Sequence, residues 1–169
     1  MKKGNLQALI ARSADFYGKN TQTSVVGMLV LENFRKGKSA RWLITDQAKH
    51  SQTYIPDAGK ATALLGNSAD AFNQLWHLPT DRNALTGKEF IEKAAEEFGV
   101  KPRYSILSRW MLQMAGLFNP VVRESIEMLY QSEFEYLFDS SKFDKAFRFK
   151  TTTYDEGIGE TVKQLNEHK

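Results

Sequence analysis

The sequence predicts an α/β protein, and three observations carry that prediction. Short β-prone runs alternate with amphipathic helical stretches along the whole chain. The helical stretches carry start and stop signals, clearest in "LTGKEFIEKAAEEFGV". The apolar run "LIAR", residues 9–12, opens within ten residues of Met1 and reads as an interior strand of a parallel sheet. Such a strand needs neighbours on both edges and cover on both faces.

Taken in order, "TSVVGMLVLENFRKGK" spaces Val25, Val26, Leu29, Val30 and Phe34 by three and four residues. That spacing predicts a helix capped by Thr23 or Ser24, in spite of Gly27. "ARWLIT" and "SQTYIP" are β-prone and separated by "DQAKH", a pattern that predicts a hairpin or paired ribbon. "PDAGKATALLG" predicts a helix with Asp57 as N-cap and Gly66 near its C-terminal stop. "NQLWHLPT" reads as a second buried strand, ended by a proline. In the next helix Thr86 and Glu89 form a T-x-x-E capping box, Phe90, Ile91, Ala94 and Phe98 form the inner face, and Gly99 ends it. "RYSILS" predicts a strand. Helices follow at about residues 107 to 117 and 119 to 132, with Pro120 in the first turn of the second. "FEYLFDSSKFDKAFRF" is an extended piece entering a short helix capped by Asp139 or Ser140, with Lys142 exposed, and "TTTYDEGIGETVKQL" is a last helix. Trp76, Trp110, Met111 and Met114 are assigned to the core.

Composition excludes several classes. At 169 residues the chain fits one domain with a core that needs no staples. It has no cysteine, so disulfides and thiolate metal sites are excluded. With 41% hydrophobic and 25% charged residues it is a globular rather than a disordered sequence. No apolar stretch reaches the roughly eighteen residues of a membrane span. Gln7 and Arg12 interrupt the N-terminal segment as a signal peptide, so neither membrane nor export is expected and the reading is cytoplasmic. The isoelectric point is about 9.0, but 23 basic and 20 acidic residues are interspersed. No long basic run exists, and nucleic acid is not an expected partner.

Catalytic motifs are missing too. The chain has no G-x-S-x-G, G-x-x-x-x-G-K-[ST], H-E-x-x-H or EF-hand pattern. His50, His77 and His168 carry no metal spacing, so no metal site is expected. Glu96 and Glu97 share their helix with lysines and read as a solvated face.

In order, "ARSADFYG", "HSQTYIPDAGKATALL", "LTGKEFIEKAAEEFGVKP", "EMLYQSEFEYLFDSSKFDKAF" and "TTTYDEGIGETV" resemble the C-terminal half of the NAD-dependent epimerase/dehydratase family, the extended short-chain dehydrogenase/reductases. The likeness runs from about Leu6 to Val162. It implies partial Rossmann-like parallel strands plus the small C-terminal substrate-binding α/β lobe. It also implies that residues 1–169 form a single substrate-binding portion from which the N-terminal dinucleotide-binding half is absent. The strand "LIAR" would then lie beside strands of that half, with the "DFYG" turn at the carboxyl edge of the sheet where ligands bind. The family's G-x-x-G-x-x-G turn has no counterpart here, and no tyrosine has a lysine four residues on. The implied cofactor, NAD(P), therefore belongs to the full-length family and none is expected in this chain alone. No catalytic residue is assigned, and the portion is expected to be catalytically silent by itself.

The resemblance places candidate substrate-binding residues at Asp15, Tyr17, Gly18, Ser24, His50 and Tyr130. Asp15, Tyr17 and Gly18 stand where the family has its N-x-Y-G-P turn, with Asp for the usual Asn and Lys19 for the usual Pro. His50 stands seven residues before Asp57, where nucleotide-sugar enzymes of the family carry a diphosphate-binding arginine. A second such arginine is missing around Leu129 and Tyr130. With Asp15 repelling anions, these departures imply a substrate other than a nucleoside-diphosphate sugar. Expected partners are a small molecule and either the missing half or a second copy, since half a sheet leaves an apolar strand edge. The rival readings are an autonomous small-molecule binding module that kept the fold and lost the reaction, and a basic nucleic-acid binder resting on charge alone.

Overall fold

The computed structural model describes residues 7–21 and 23–167; Leu6 and His168, used above, lie outside them. The described elements are β1 (Ile10–Arg12), β2 (Asp15–Tyr17), α1 (Glu32–Arg35), β3 (Ala40–Leu43), β4 (Lys49–His50), β5 (Gln52–Tyr54), α2 (Ile55–Gly66), β6 (Leu75–His77), β7 (Leu85–Thr86), α3 (Gly87–Phe98), β8 (Tyr104–Leu107), α4 (Arg109–Gly116), α5 (Pro120–Ser125), α6 (Ser141–Phe147) and α7 (Tyr154–Asn166). The class is α/β. Strands pair two by two: β1 with β6, β2 with β5 and β3 with β8 in parallel, β4 with β7 antiparallel. Parallel partners need a crossover between them, which is why helices separate them in sequence. Ile10 stands opposite Leu75 and Arg12 opposite His77, so "LIAR" and "QLWHL" are parallel neighbours.

Several local expectations are corrected. The hairpin between "ARWLIT" and "SQTYIP" does not form. Each run buries its aromatic against a different partner: Trp42 on Phe90 at 6.3 Å between ring centroids, Tyr54 on Tyr17 at 5.3 Å. Long-range burial wins over the local turn, and the chain leaves β3 through Ile44 at φ 60°. The strand β1 is not buried, since all three of its residues are exposed. It pairs on one edge with β6, and among the described residues nothing pairs with the other.

The helix at 25–35 is capped as expected, the Gly27 N–H donating to Ser24 Oγ at 3.0 Å. It contains a π turn over Gly27–Leu31 before α1. Gly27 has a physical reason: a Cβ there would stand 3.0 Å from Thr21 Oγ1 and closer still to the Thr21 carbonyl oxygen. Asp57 is not the N-cap of α2. Tyr54 holds that position, Pro56 occupies the first turn, and Asp57 falls inside the helix. Its buried carboxylate accepts from Thr152 N at 2.7 Å and Thr152 Oγ1 at 3.0 Å, tying α2 to the segment that enters α7.

The capping box of α3 is present, and Gly99 closes the helix at φ 65°. The stretch 119–132 divides into α5, capped by Asn119, and a 3-10 segment over Ile126–Ser132. The Ser141 N–H donates to Asp139 Oδ1 at 2.8 Å at the start of α6.

Tyr17 centres the main core, its ring 5.3 Å from Tyr54, 5.9 Å from Phe90 and 5.6 Å from Tyr154. A second cluster gathers Trp76 and Phe143 under α2. Buried hydroxyls connect the two regions: Thr53 Oγ1 accepts from Ala14 N at 3.1 Å and meets Thr80 Oγ1 at 2.7 Å, while Thr80 N donates to Ser140 Oγ at 3.3 Å. Trp110, Met111 and Met114, assigned to the core from sequence, are instead 66%, 41% and 52% exposed. Their helix packs on α5 and the 3-10 segment, a lobe too small to cover them. Among the described residues no helix is long and apolar enough to cross a membrane.

Candidate functional site

Two of the six candidate residues meet. Register places Asp15, the first residue of β2, opposite Gln52, the first of β5. Two residues before Gln52, His50 ends β4. The result is a contact across 35 positions of sequence, His50 Nε2 lying 2.9 Å from Asp15 Oδ2. The carboxylate fixes the imidazole: in its neutral form His50 carries the proton on Nε2 and the lone pair on Nδ1. The His50 ring also packs on Tyr136 at 4.9 Å. Backbone bonds hold Tyr136 there, Ser51 N donating to Tyr136 O at 2.8 Å and Tyr136 N to Lys49 O at 2.9 Å. Burial first, then the Asp15 carboxylate, push the Tyr136 phenol above its ordinary pKa, so it remains a neutral O–H at physiological pH.

Asp15 and His50 border a cleft of about 40 Å³, whose lining also includes the polar Gln52, Thr45 and Ser132 and the apolar Val25, Trp42 and Phe134. Gln52 Oε1 is buried without a hydrogen-bond partner, although its backbone N–H and carbonyl are both bonded to the Tyr154 hydroxyl. No lysine or arginine lines the cleft among the described residues. Among them, too, no group of three His, Cys, Asp or Glu is placed to hold a metal ion.

The other four candidates lie elsewhere. Tyr17 is 1% exposed and fills the core; burial, then Tyr154 and Tyr54, hold its phenol far above the ordinary range, so it does not serve as a surface contact or a proton donor to solvent. Gly18, at φ 135°, turns the chain beside a separate cavity of about 310 Å³. Ser24 is occupied as a helix cap. Tyr130 is exposed on the 3-10 segment, outside the cleft lining. Sequence reasoning missed Gln52, Trp42, Phe134 and Tyr136. Only Gln52 carried a signal, a long polar side chain in the fully buried run "QTY".

Among the described residues, neither the start of α2 nor that of α3 assembles a pyrophosphate cradle. Gly87 opens α3, yet the Trp42 indole covers it: a Cβ there would stand 2.8 Å from Trp42 Cδ2 and nearer to two other ring atoms. The first turn of α2 begins Ile55-Pro56 and offers no such turn either. Neither of these helix starts therefore fits a dinucleotide.

No family model matches the chain, and no curated protein does. Solved structures do. The chain is similar to dTDP-glucose 4,6-dehydratase of Bacillus anthracis in complex with NAD, at TM-score 0.70 and 15% identity over 95% of this chain and 44% of that one. It is similar to the human epimerase family protein SDR39U1 with NADPH, at TM-score 0.70 and 13% identity over 96% and 50%. The UDP-glucose 4-epimerase of Thermus thermophilus, complexed with NAD, gives TM-score 0.69 and 16% identity over 95% and 47%. The fold is thus a partial Rossmann-like fold of the kind found in NAD-dependent epimerases and dehydratases, and this chain spans about half the length of the solved structures it matches.

Proposed function

We propose that these residues are the substrate-recognition portion of an NAD(P)-dependent epimerase/dehydratase-like unit, the C-terminal part of its fold, with the Asp15–His50 cleft as the substrate side. The observation that carries the reading is β1, a strand in parallel register with β6 whose residues are exposed and whose second edge has no partner among the described residues. Such an edge suits continuation of a parallel sheet. The matched structures are about twice as long and hold NAD or NADPH. On this reading a dinucleotide-binding layer extends the sheet beyond β1 and supplies the cofactor, while the present residues bind and orient a small molecule and carry no catalytic group of their own. His50, held by Asp15, acts as an orienting contact. A second copy of the chain is the alternative occupant of the β1 edge.

Titration of the 169-residue chain with NAD and NADPH, followed by nucleotide fluorescence and calorimetry, tests this. No binding below about 1 mM is expected, a free energy weaker than about 4 kcal/mol. Micromolar binding by this polypeptide alone would refute the division of labour.

A further inference from the structure

The cleft also specifies the class of molecule it takes, an inference that rests on reading Asp15 and His50 as the substrate side. His50 is the one group in the lining able to carry positive charge, and it already faces the Asp15 carboxylate at 2.9 Å. A diphosphate entering here would meet a carboxylate and no remaining cation to pair with. Gln52 lines the cleft and is 5% exposed, and its side-chain oxygen is buried without a hydrogen-bond partner. An unpaired buried acceptor calls for an N–H or O–H from whatever enters. The rest of the lining is mostly apolar, Val25, Trp42, Leu43 and Phe134 among it, with the hydroxyl residues Thr45 and Ser132. Because only about 40 Å³ is enclosed, a ligand inserts an end group and leaves its body outside. Phe134, 68% exposed, runs from that lining to the surface, and its segment also presents Leu137 at 61%.

We infer that the Asp15–His50–Gln52 cleft takes an uncharged, largely apolar molecule whose inserted end carries one N–H or O–H donor for Gln52 Oε1. Apolar surface of this extent beside a single unpaired acceptor is the pattern of a hydrophobic ligand pocket oriented by a few polar groups.

The test is amide NMR on the ¹⁵N-labelled full chain with two probes. N-phenyl-1-naphthylamine is uncharged and apolar with one N–H donor; UDP-glucose is a charged nucleotide sugar. The expected result is that the naphthylamine shifts the amides of Thr45, His50, Gln52 and Phe134, while tenfold more UDP-glucose leaves them in place. Gln52→Leu should weaken naphthylamine binding about tenfold through the lost hydrogen bond. Phe134→Glu, at an exposed position that does not endanger folding, should weaken it at least as much. Tighter binding of UDP-glucose at the same amides would overturn the ligand class and leave the substrate-side reading standing. Response of neither probe at those amides would overturn both. Naphthylamine shifts confined to Trp110 and Phe118 would show adhesion to exposed apolar surface and overturn the inference as well.

Discussion

Replacing Gly157 with alanine should destabilise the protein, although helix propensity alone favours alanine. Gly157 is buried in α7 against Tyr17. A Cβ at this position would overlap the Tyr17 hydroxyl and stand 3.0 Å from Cζ and 3.1 Å from Cε2. The ring has no room to retreat, being 1% exposed and stacked among Tyr54, Phe90 and Tyr154. Either α7 moves outward or the aromatic cluster repacks, an overpacking cost of about 1–3 kcal/mol. Alanine returns about 1 kcal/mol of helix propensity. The net expectation is a loss of up to about 2 kcal/mol. Gly59 in α2 is the control, because nothing lies within 4 Å of its Cβ position; Gly59→Ala should gain about 0.5–1 kcal/mol. Urea unfolding followed by tryptophan fluorescence reads both, at unchanged m-value. Tyr17→Phe removes the overlapping oxygen, so the Gly157→Ala penalty should shrink in that background by at least about 0.5 kcal/mol in a double-mutant cycle. Two glycine variants that are stabilised alike would refute the packing argument.

Two further predictions concern buried polar ties and pH. Asp57→Ala removes the acceptor for Thr152 N and Oγ1 and leaves that backbone donor unpaired, so it should cost about 2–4 kcal/mol. Calorimetry should show the midpoint falling by roughly 5–10 °C, with Asp57→Asn recovering part of it; an unchanged midpoint would contradict the tie. Stability should also fall at both ends of the pH scale. The Glu89 carboxylate is held below its ordinary range by hydrogen bonds from the Thr86 backbone and hydroxyl, Glu32 by Arg35, and Asp46 by the Tyr104 hydroxyl. Depressed carboxylates make the unfolded chain the better proton binder, so their contribution, present above about pH 4.5, is lost as pH drops through the folded values. Thr86→Ala should flatten that acid limb. Tyr17 is raised by burial and Tyr154 is pushed up to about 12, again by burial first, so the unfolded chain ionises first and stability declines above about pH 10. Unfolding free energies measured from pH 3 to 11 check both limbs, and a flat profile would count against these assignments.

Most secondary structure was legible because its causes are local. A capping box at Thr86 and Glu89, a stop at Gly99 and a serine cap at Ser24 depend on residues within one turn of each other. The failures share one origin. Trp42 and Tyr54 chose distant partners over the nearby turn, and Asp57 was taken inside its helix by Pro56 and a donor 95 positions away. Among the site residues, the family resemblance pointed to Asp15 and His50 separately, yet nothing in either neighbourhood said that they touch.

From its sequence alone this protein's α/β class, the capped ends of α3 and the lack of a glycine-rich G-x-x-G-x-x-G motif could be derived, because each rests on short-range pattern or plain absence of a motif. Tertiary structure decided that Tyr17 is core, that Trp110 is surface, and that Asp15, His50 and Gln52 border one cleft. The physical reason is that burial and hydrogen-bond pairing are properties of space between elements. Register across parallel strands joined by long crossovers sets that space, and no local window of residues encodes it.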